Sequence, residues 1–209
     1  MPPSKQDIAL FCFLFPASLE KRERVIHLLD TCYDYRDPAS DTKTWCYFTP
    51  SERKGALNSM LDSLDCANKS AVLGGIEIYS QKAALSRQLH HPEFLRYHDT
   101  VAREGLYAQD EKMQAWYPRL GFLARDGLAP TGLIVVTAML TAKDDAGSTS
   151  AMEILGSFAA WVNAEEPTTL TYAVLTRPKA PKEILMFERY ADPEALGSHM
   201  YSKRYKAML

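Results

Sequence analysis

Apolar and polar positions in this chain switch between a strand period and a helix period, and the order of switching occurs twice. Ile8 to Phe15 is an apolar run of strand length. Ser18 follows, placed to cap a helix from Leu19 to Tyr35 whose apolar stripe is Val25, Leu28, Leu29, Cys32 and Tyr33. His27 lies off that stripe and is expected in solvent. Asp37-Pro38-Ala39-Ser40 ends the segment. Thr44 to Thr49 reads as a second strand, and a short helix is expected over Arg53 to Leu64. Ala71 to Ser80 is a third strand, in which Gly74-Gly75 predicts a bulge or a close backbone approach. Two helical pieces follow. Lys82 to His90 is one, and Glu93 to Arg103 is the other, with Pro92 in its first turn and Gly105 closing it. Met113 to Leu120 is a fourth strand.

Gly121 to Pro130, with two glycines and a proline, reads as a linker, and the order then restarts. Gly132 to Leu140 is the most continuous apolar run. Asp144 to Ser150 is expected as a loop into a helix over Thr149 to Asn163. The inward stripe of that helix is Ala151, Ile154, Leu155, Phe158 and Val162, with Trp161 at its edge. Glu165-Glu166-Pro167 turns the chain into a strand over Thr169 to Thr176, and Pro178 to Pro181 makes a hairpin turn. Ile184 to Tyr190 is the next strand. Asp192-Pro193-Glu194 then opens a helix, because Asp caps, Pro presets the first turn and Glu suits the positive helix end. Leu196, His199 and Met200 share one face of it.

The two halves align residue by residue around their third strands. Glu77 falls on Glu188, Tyr79 on Tyr190, Ala84 on Ala195, Leu85 on Leu196 and Leu89 on Met200, while Trp45 falls on Tyr172. A duplication of this kind decides the architecture. Each repeat reads β-α-β-β-α, with a final β in the first only. The fold class is therefore α+β: two tandem ferredoxin-like β-α-β-β-α-(β) repeats. Right-handed crossovers put both helices of a repeat on one face of its sheet, leaving the other face for the partner repeat. The expected arrangement is sheet to sheet, an intramolecular dimeric α+β barrel. The first repeat spans 1–120 with an insertion at 51–69, the linker is 121–130, and the second repeat is 131–209.

Composition narrows the function classes. The chain has 209 residues and a net charge of −2, so nothing electrostatic argues for nucleic acid or an anionic membrane. No apolar stretch approaches the roughly 20 residues that span a bilayer. The apolar run near the N-terminus is short and follows Asp7, which makes it a strand rather than a targeting signal. Cys12, Cys32, Cys46 and Cys66 form no CxxC pair and sit in apolar segments, as buried thiols of a reducing, cytoplasmic compartment would. No GxGxxG follows a strand, no Walker motif occurs, and the histidines lack a metal-ligand spacing. Eleven tyrosines and eight phenylalanines suit a pocket for flat apolar ligands as well as they suit a core.

Repeat two resembles the antibiotic biosynthesis monooxygenase family of dimeric α+β barrels, in a tandem, fungal-type version. The residues carrying this are Glu166-Pro167, Leu170 with Tyr172, Phe187-Glu188-Arg189-Tyr190, and Asp192 with Glu194-Ala195-Leu196 and His199. Thr168 stands where the family pattern has Gly, and Tyr190 where it has Trp. Repeat one matches through Glu77, Tyr79, Ala84 and Leu85, with Gln88 in the histidine position. The resemblance implies a cofactor-independent monooxygenase or oxidase, with O2 as co-substrate, acting on a small hydrophobic phenolic, polyketide-type or oxylipin metabolite. A homodimer is a further expectation. That chemistry asks for a base near neutral pKa, donors that hold the substrate anion, and exclusion of water.

On this reading the candidate catalytic residues are His98, His199, Tyr79 and Tyr190. Trp45, Trp116, Trp161, Tyr172, His91 and Arg189 are candidates for holding substrate. His98 is expected to face inward with Phe94 and Val101. It also follows Tyr79 at a spacing resembling that of the haem-ligating histidine in haem-degrading relatives. His91 is equally placed to cap the helix at Pro92, and Glu77 and Glu188 to pair with cations at a sheet edge. Two rival readings stand beside the oxygenase: a non-catalytic barrel that binds a lipophilic ligand, and a haem-binding or haem-degrading relative.

Overall fold

The computed structural model describes residues 1–34, 41–51, 59–125 and 133–208. The expected turn over Asp37 to Ser40, the first half of the helix over Arg53 to Leu64 and the second half of the linker lie outside them. The chain divides into two compact units, one of Gln6–Ala115 and one of Met1–Lys5 with Trp116–Leu209. Both are α+β, and both run in the β-α-β-β-α order of a ferredoxin-like repeat. No helix among the described residues is long and apolar enough to cross a membrane.

The first unit contains β1 (Ile8–Leu14), α1 (Leu19–Asp34), β2 (Thr42–Phe48), α2 (Ser59–Asp62), β3 (Leu73–Tyr79), α3 (Lys82–Leu89) and α4 (Pro92–Arg103). β3 is central. It pairs antiparallel with β1, from Ile8 opposite Tyr79 to Leu14 opposite Leu73, and with β2 on its other edge. All seven of its residues are buried. Pairing of β3 runs unbroken through the glycine pair, so Gly74-Gly75 marks a close approach and not a bulge. A Cβ at Gly74 would sit 2.3 Å from the Phe48 ring, and one at Gly75 would sit 2.5 Å from the Tyr47 ring. The aromatic side chains of β2 fold over the strand where only hydrogen leaves room. The core beneath joins Val25, Leu29 and Cys32 of α1 to Tyr97 and Val101 of α4 and to Cys12 and Leu73 of the sheet.

The second unit contains β5 (Ile134–Thr141), α5 (Asp145–Glu165), β6 (Thr169–Thr176), β7 (Glu183–Tyr190), α6 (Pro193–Tyr201) and α7 (Lys203–Met208). β7 pairs antiparallel with β5 and with β6. The outer edge of β6 is taken by the end of β4 (Lys112–Phe122), with Tyr117 opposite Thr176 and Phe122 opposite Tyr172. The strand that sequence order assigns to repeat one thus completes the sheet of the second unit, in the order β4-β6-β7-β5. The reason is backbone satisfaction: β6 is buried along nearly its whole length, and a buried edge needs a hydrogen-bonded neighbour. Gly121 makes the close approach possible. It holds φ +88°, and a Cβ there would lie 1.8 Å from the Tyr172 carbonyl oxygen.

α5 begins before the expected loop ends, because Asp144 caps it through Gly147 N–H at 2.7 Å. Its inward stripe is Leu155, Phe158, Ala159 and Val162. Ile154 is 52% exposed, a quarter-turn away from Leu155, and so lies outside the stripe expected for it.

Candidate active site

Three chain segments of the second unit meet at one imidazole. The first is the start of α6. Asp192 Oδ1 accepts from Ala195 N–H at 2.8 Å, Pro193 sets the first turn, and the phase so fixed turns Ala195 and His199 inward. The inward pair is Ala195 with His199; Met200 faces solvent, contrary to the expected stripe. His199 is 1% exposed.

The second segment is the turn from α5 to β6. Glu166 ends α5, and its Oε2 accepts the Thr169 hydroxyl at 2.9 Å and lies 2.7 Å from His199 Nδ1. Arg125 pins this turn. Its Nε donates to Thr169 O at 2.7 Å, and its Nη2 to the carbonyls of Val162, Asn163 and Glu166. A cation over the last carbonyls of a helix satisfies them and opposes the negative helix end.

The third segment is the end of β7. Glu188 and Tyr190 project from one face of the strand, and the Tyr190 hydroxyl donates to Glu188 Oε2 at 2.6 Å. Burial pushes the Glu188 carboxyl above its ordinary range, while the Tyr190 hydrogen bond and the His199 imidazole pull it back in part. Tyr190 and Tyr172 are pushed up from the usual phenol value by burial first and by Glu188 next, and Tyr205 shifts the same way. All three are therefore proton donors at neutral pH.

Ring centroids of Tyr205, Tyr190, Phe158 and Tyr172 lie 5.0, 5.3, 5.5 and 6.0 Å from that of His199. A carboxylate that is ionised only accepts, so beside it a neutral imidazole donates from Nδ1 and keeps the lone pair on Nε2. Nε2 is buried without a hydrogen-bond partner, as is Glu166 Oε1. A buried acceptor without a partner costs free energy, of order 1–3 kcal/mol, which a ligand proton would recover.

Of the sequence candidates, His199, Tyr190 and Tyr172 come together here. Trp161 lies one ring further out, 5.5 Å from Phe158. Trp116 is fully buried under the Arg177 guanidinium, at 5.2 Å, with its indole N–H unpartnered. Arg189 reaches Thr171 Oγ1 at 2.8 Å and the Leu123 carbonyl at 3.2 Å, which ties down backbone in the second sheet.

In the first unit, Tyr79 donates to Glu77 Oε2 at 2.5 Å and Tyr47 donates to the other oxygen. Gln88 is buried in the position that corresponds to His199. Burial and the nearby Glu77 push the Cys12 thiol well up, so it is no nucleophile. Glu77 and Glu188 are thus buried acceptors of tyrosine hydroxyls. Trp45 packs edge-on against Tyr47 at 5.5 Å. His91 caps α4, its Nδ1 accepting from Glu93 N–H at 3.3 Å. His98 is half-buried between Phe94 and Tyr97, and the inward positions of α4 are Phe94, Tyr97, Thr100 and Val101. Tyr97 takes the place expected for His98, one residue around the helix.

Four residues around His199 are absent from the sequence-level site: Glu166, Glu188, Phe158 and Tyr205. Glu166 and Glu188 belong to the family pattern, which by itself names no part for either in the chemistry. Among the described residues no three His, Cys, Asp or Glu side chains gather as a metal-holding group.

These features define an α+β domain with a buried histidine–carboxylate pair walled by phenols. Residues 133–209 match the family described as antibiotic biosynthesis monooxygenase, which bears out the resemblance read from Glu166-Pro167, Phe187 to Tyr190 and His199. The fold is similar over nearly the whole chain to that of a candidate monooxygenase from Lactobacillus acidophilus NCFM. That alignment has a TM-score of 0.72 and 17% identity, and covers 97% of this chain and 85% of that one. A candidate monooxygenase from Fusobacterium nucleatum subsp. nucleatum ATCC 25586 aligns with TM-score 0.73 and 12% identity, covering 98% of this chain and 85% of that one. An anthrone oxidase-like protein aligns with TM-score 0.53 and 14% identity, covering 97% and 83%. At these identities the likeness is one of fold. No curated protein matches the chain.

Proposed function

We propose that the second repeat is a monooxygenase site that oxidises a small phenolic or anthrone-like substrate with O2 and no organic cofactor. The observation that carries this reading is His199, with Nδ1 bound to Glu166 and Nε2 unpartnered among four aromatic rings. The family match at 133–209 supports the reaction class.

The geometry supports the following chemistry. Nε2 removes a proton from an activated CH2 or OH, and Glu166 stabilises the imidazolium that forms. Tyr172 and Tyr205, protonated at neutral pH, supply donors to the developing oxyanion. The substrate carbanion gives one electron to O2, and the resulting pair combines to a C–O bond as a peroxide. The proton held on Nε2 returns to the peroxide, and loss of water leaves a ketone. One CH2 and one O2 thus become one C=O and one H2O. Burial of His199 keeps bulk water from the anion.

Oxygen-electrode traces on metal-stripped protein with dithranol and hydroquinones test the reading. Substrate-dependent uptake that is lost in His199→Ala supports it; flat traces with the folded wild-type protein across the panel contradict it.

A further inference from the structure

Phe158 and Tyr205 pack on the His199 ring, with centroids 5.5 and 5.0 Å away. Phe158 also lines an open groove of about 360 Å³ between α5 and α7, where Ile154, Ala207 and Met208 supply further apolar wall. The polar residues of that groove are Glu153, Ser157 and Arg204. α7 carries Lys203, Arg204 and Lys206 and no acid, in a chain whose net charge is −2. None of the three cations forms an ion pair among the described residues. Arg204 Nη2 donates to Ser157 Oγ at 3.2 Å, a neutral partner that directs the guanidinium along α5. Ser202, which separates α6 from α7, is extended, and its hydroxyl accepts from Tyr205 N–H at 3.0 Å. Tyr205 thus stands one turn inside a short helix set off from α6 by an extended residue.

We propose that this groove is the mouth of the His199 site, and that Arg204 selects flat apolar substrates bearing a carboxylate. The proposal rests on the oxygenase reading for the identity of the site behind Phe158. A carboxylate displaces the Ser157 hydroxyl and meets the guanidinium fork, which matches it in geometry and charge. The ring system lies on Phe158, Ile154 and Met208. Glu153, one turn before Ser157 on α5, opposes the anion and sets an upper limit on the gain.

The test compares anthraquinone-2-carboxylate with its neutral carboxamide on the full chain, by quenching of tryptophan fluorescence. The wild-type protein is expected to prefer the carboxylate by about threefold, the worth of one ion pair at an exposed site such as Arg204. Arg204→Gln removes the preference, Arg204→Lys keeps part of it, and Glu153→Gln increases it. Equal affinities in the wild-type protein, a preference that survives Arg204→Gln, or no binding of either compound overturns the proposal. Oxygen uptake with neutral dithranol is followed in parallel. Uptake without carboxylate preference removes Arg204 from recognition and leaves the oxygenase standing. Preference without uptake leaves an anion-selective mouth and removes the oxygenase.

Discussion

The two repeats hold the same pair of groups at the same place and surround them differently. In repeat one Tyr79 donates to Glu77; in repeat two Tyr190 donates to Glu188. Around Glu77 stand Tyr47 and the Cys12 thiol, with buried Gln88 on α3. Around Glu188 stand the His199 imidazole, its Glu166 partner and three further rings. The shared pair belongs to the fold, because it satisfies a buried carboxyl at the end of a central strand. On the proposed function, chemistry is confined to the repeat that holds an imidazole with an unpartnered nitrogen. Duplication explains Tyr79 and Tyr190; it does not explain His199.

Breaking the comparison at the imidazole has the largest expected effect. His199→Gln gives repeat two the side chain of repeat one, and oxygen uptake should fall about 10²–10⁴-fold, the range for loss of a general base. Steady-state oxygen consumption at saturating dithranol measures it, and near-wild-type uptake would remove the imidazole from the reaction.

Glu166→Ala comes next. It leaves the imidazole in place without the acceptor that holds its tautomer, so uptake should fall by less than in His199→Gln, roughly 10–10³-fold. The deficit should be in kcat more than in KM, since on the proposed mechanism Glu166 acts through the imidazole.

Two packing variants then compare the repeats as folds. Phe158→Ala empties the centre of the ring cluster in repeat two and should destabilise it by about 3–5 kcal/mol in urea melts. Gly74→Ala in repeat one drives a methyl into the Phe48 ring and should cost about 1–3 kcal/mol. If Phe158→Ala proved the cheaper of the two, the ring cluster would be loosely packed rather than a core.

The smallest effect is a pH dependence. The folded-state pKa of Glu188 is raised by burial, so its ionisation is easier in the unfolded chain. Its contribution is fully present below the ordinary carboxylate range and is lost as pH rises toward the folded-state value. Glu188→Gln escapes this loss. Melting temperatures of the variant should therefore gain on wild type between pH 4 and pH 7, and a gap that is flat or narrows with pH would show Glu188 ionising freely in the fold.

The sequence made some of this visible and hid the rest for identifiable reasons. His199 was legible because Asp192 and Pro193 fix the start of α6, and with it the helix phase. Phe158 and Val162 are legible from the same periodicity, while a stripe read from apolarity alone is too wide and takes in the exposed Ile154. His98 shows the same limit: Tyr97, its neighbour, is the larger apolar ring and takes the interior. The part played by Glu166 was hidden, since its partner is 33 residues further on and only the packing of α6 against the α5–β6 turn joins them. The strand over 112–122 was visible as a strand, but nothing local says that its end completes the edge of β6.

The measurement closest to the claim is proton removal itself, observed without oxygen. Dithranol is mixed anaerobically with metal-stripped protein at a pH below its own ionisation, and the anion band is followed by stopped-flow absorbance. The wild-type protein should generate the band on binding, and His199→Gln, folded and still binding, should not. A band of equal size in both proteins would contradict the assignment of His199 as the base.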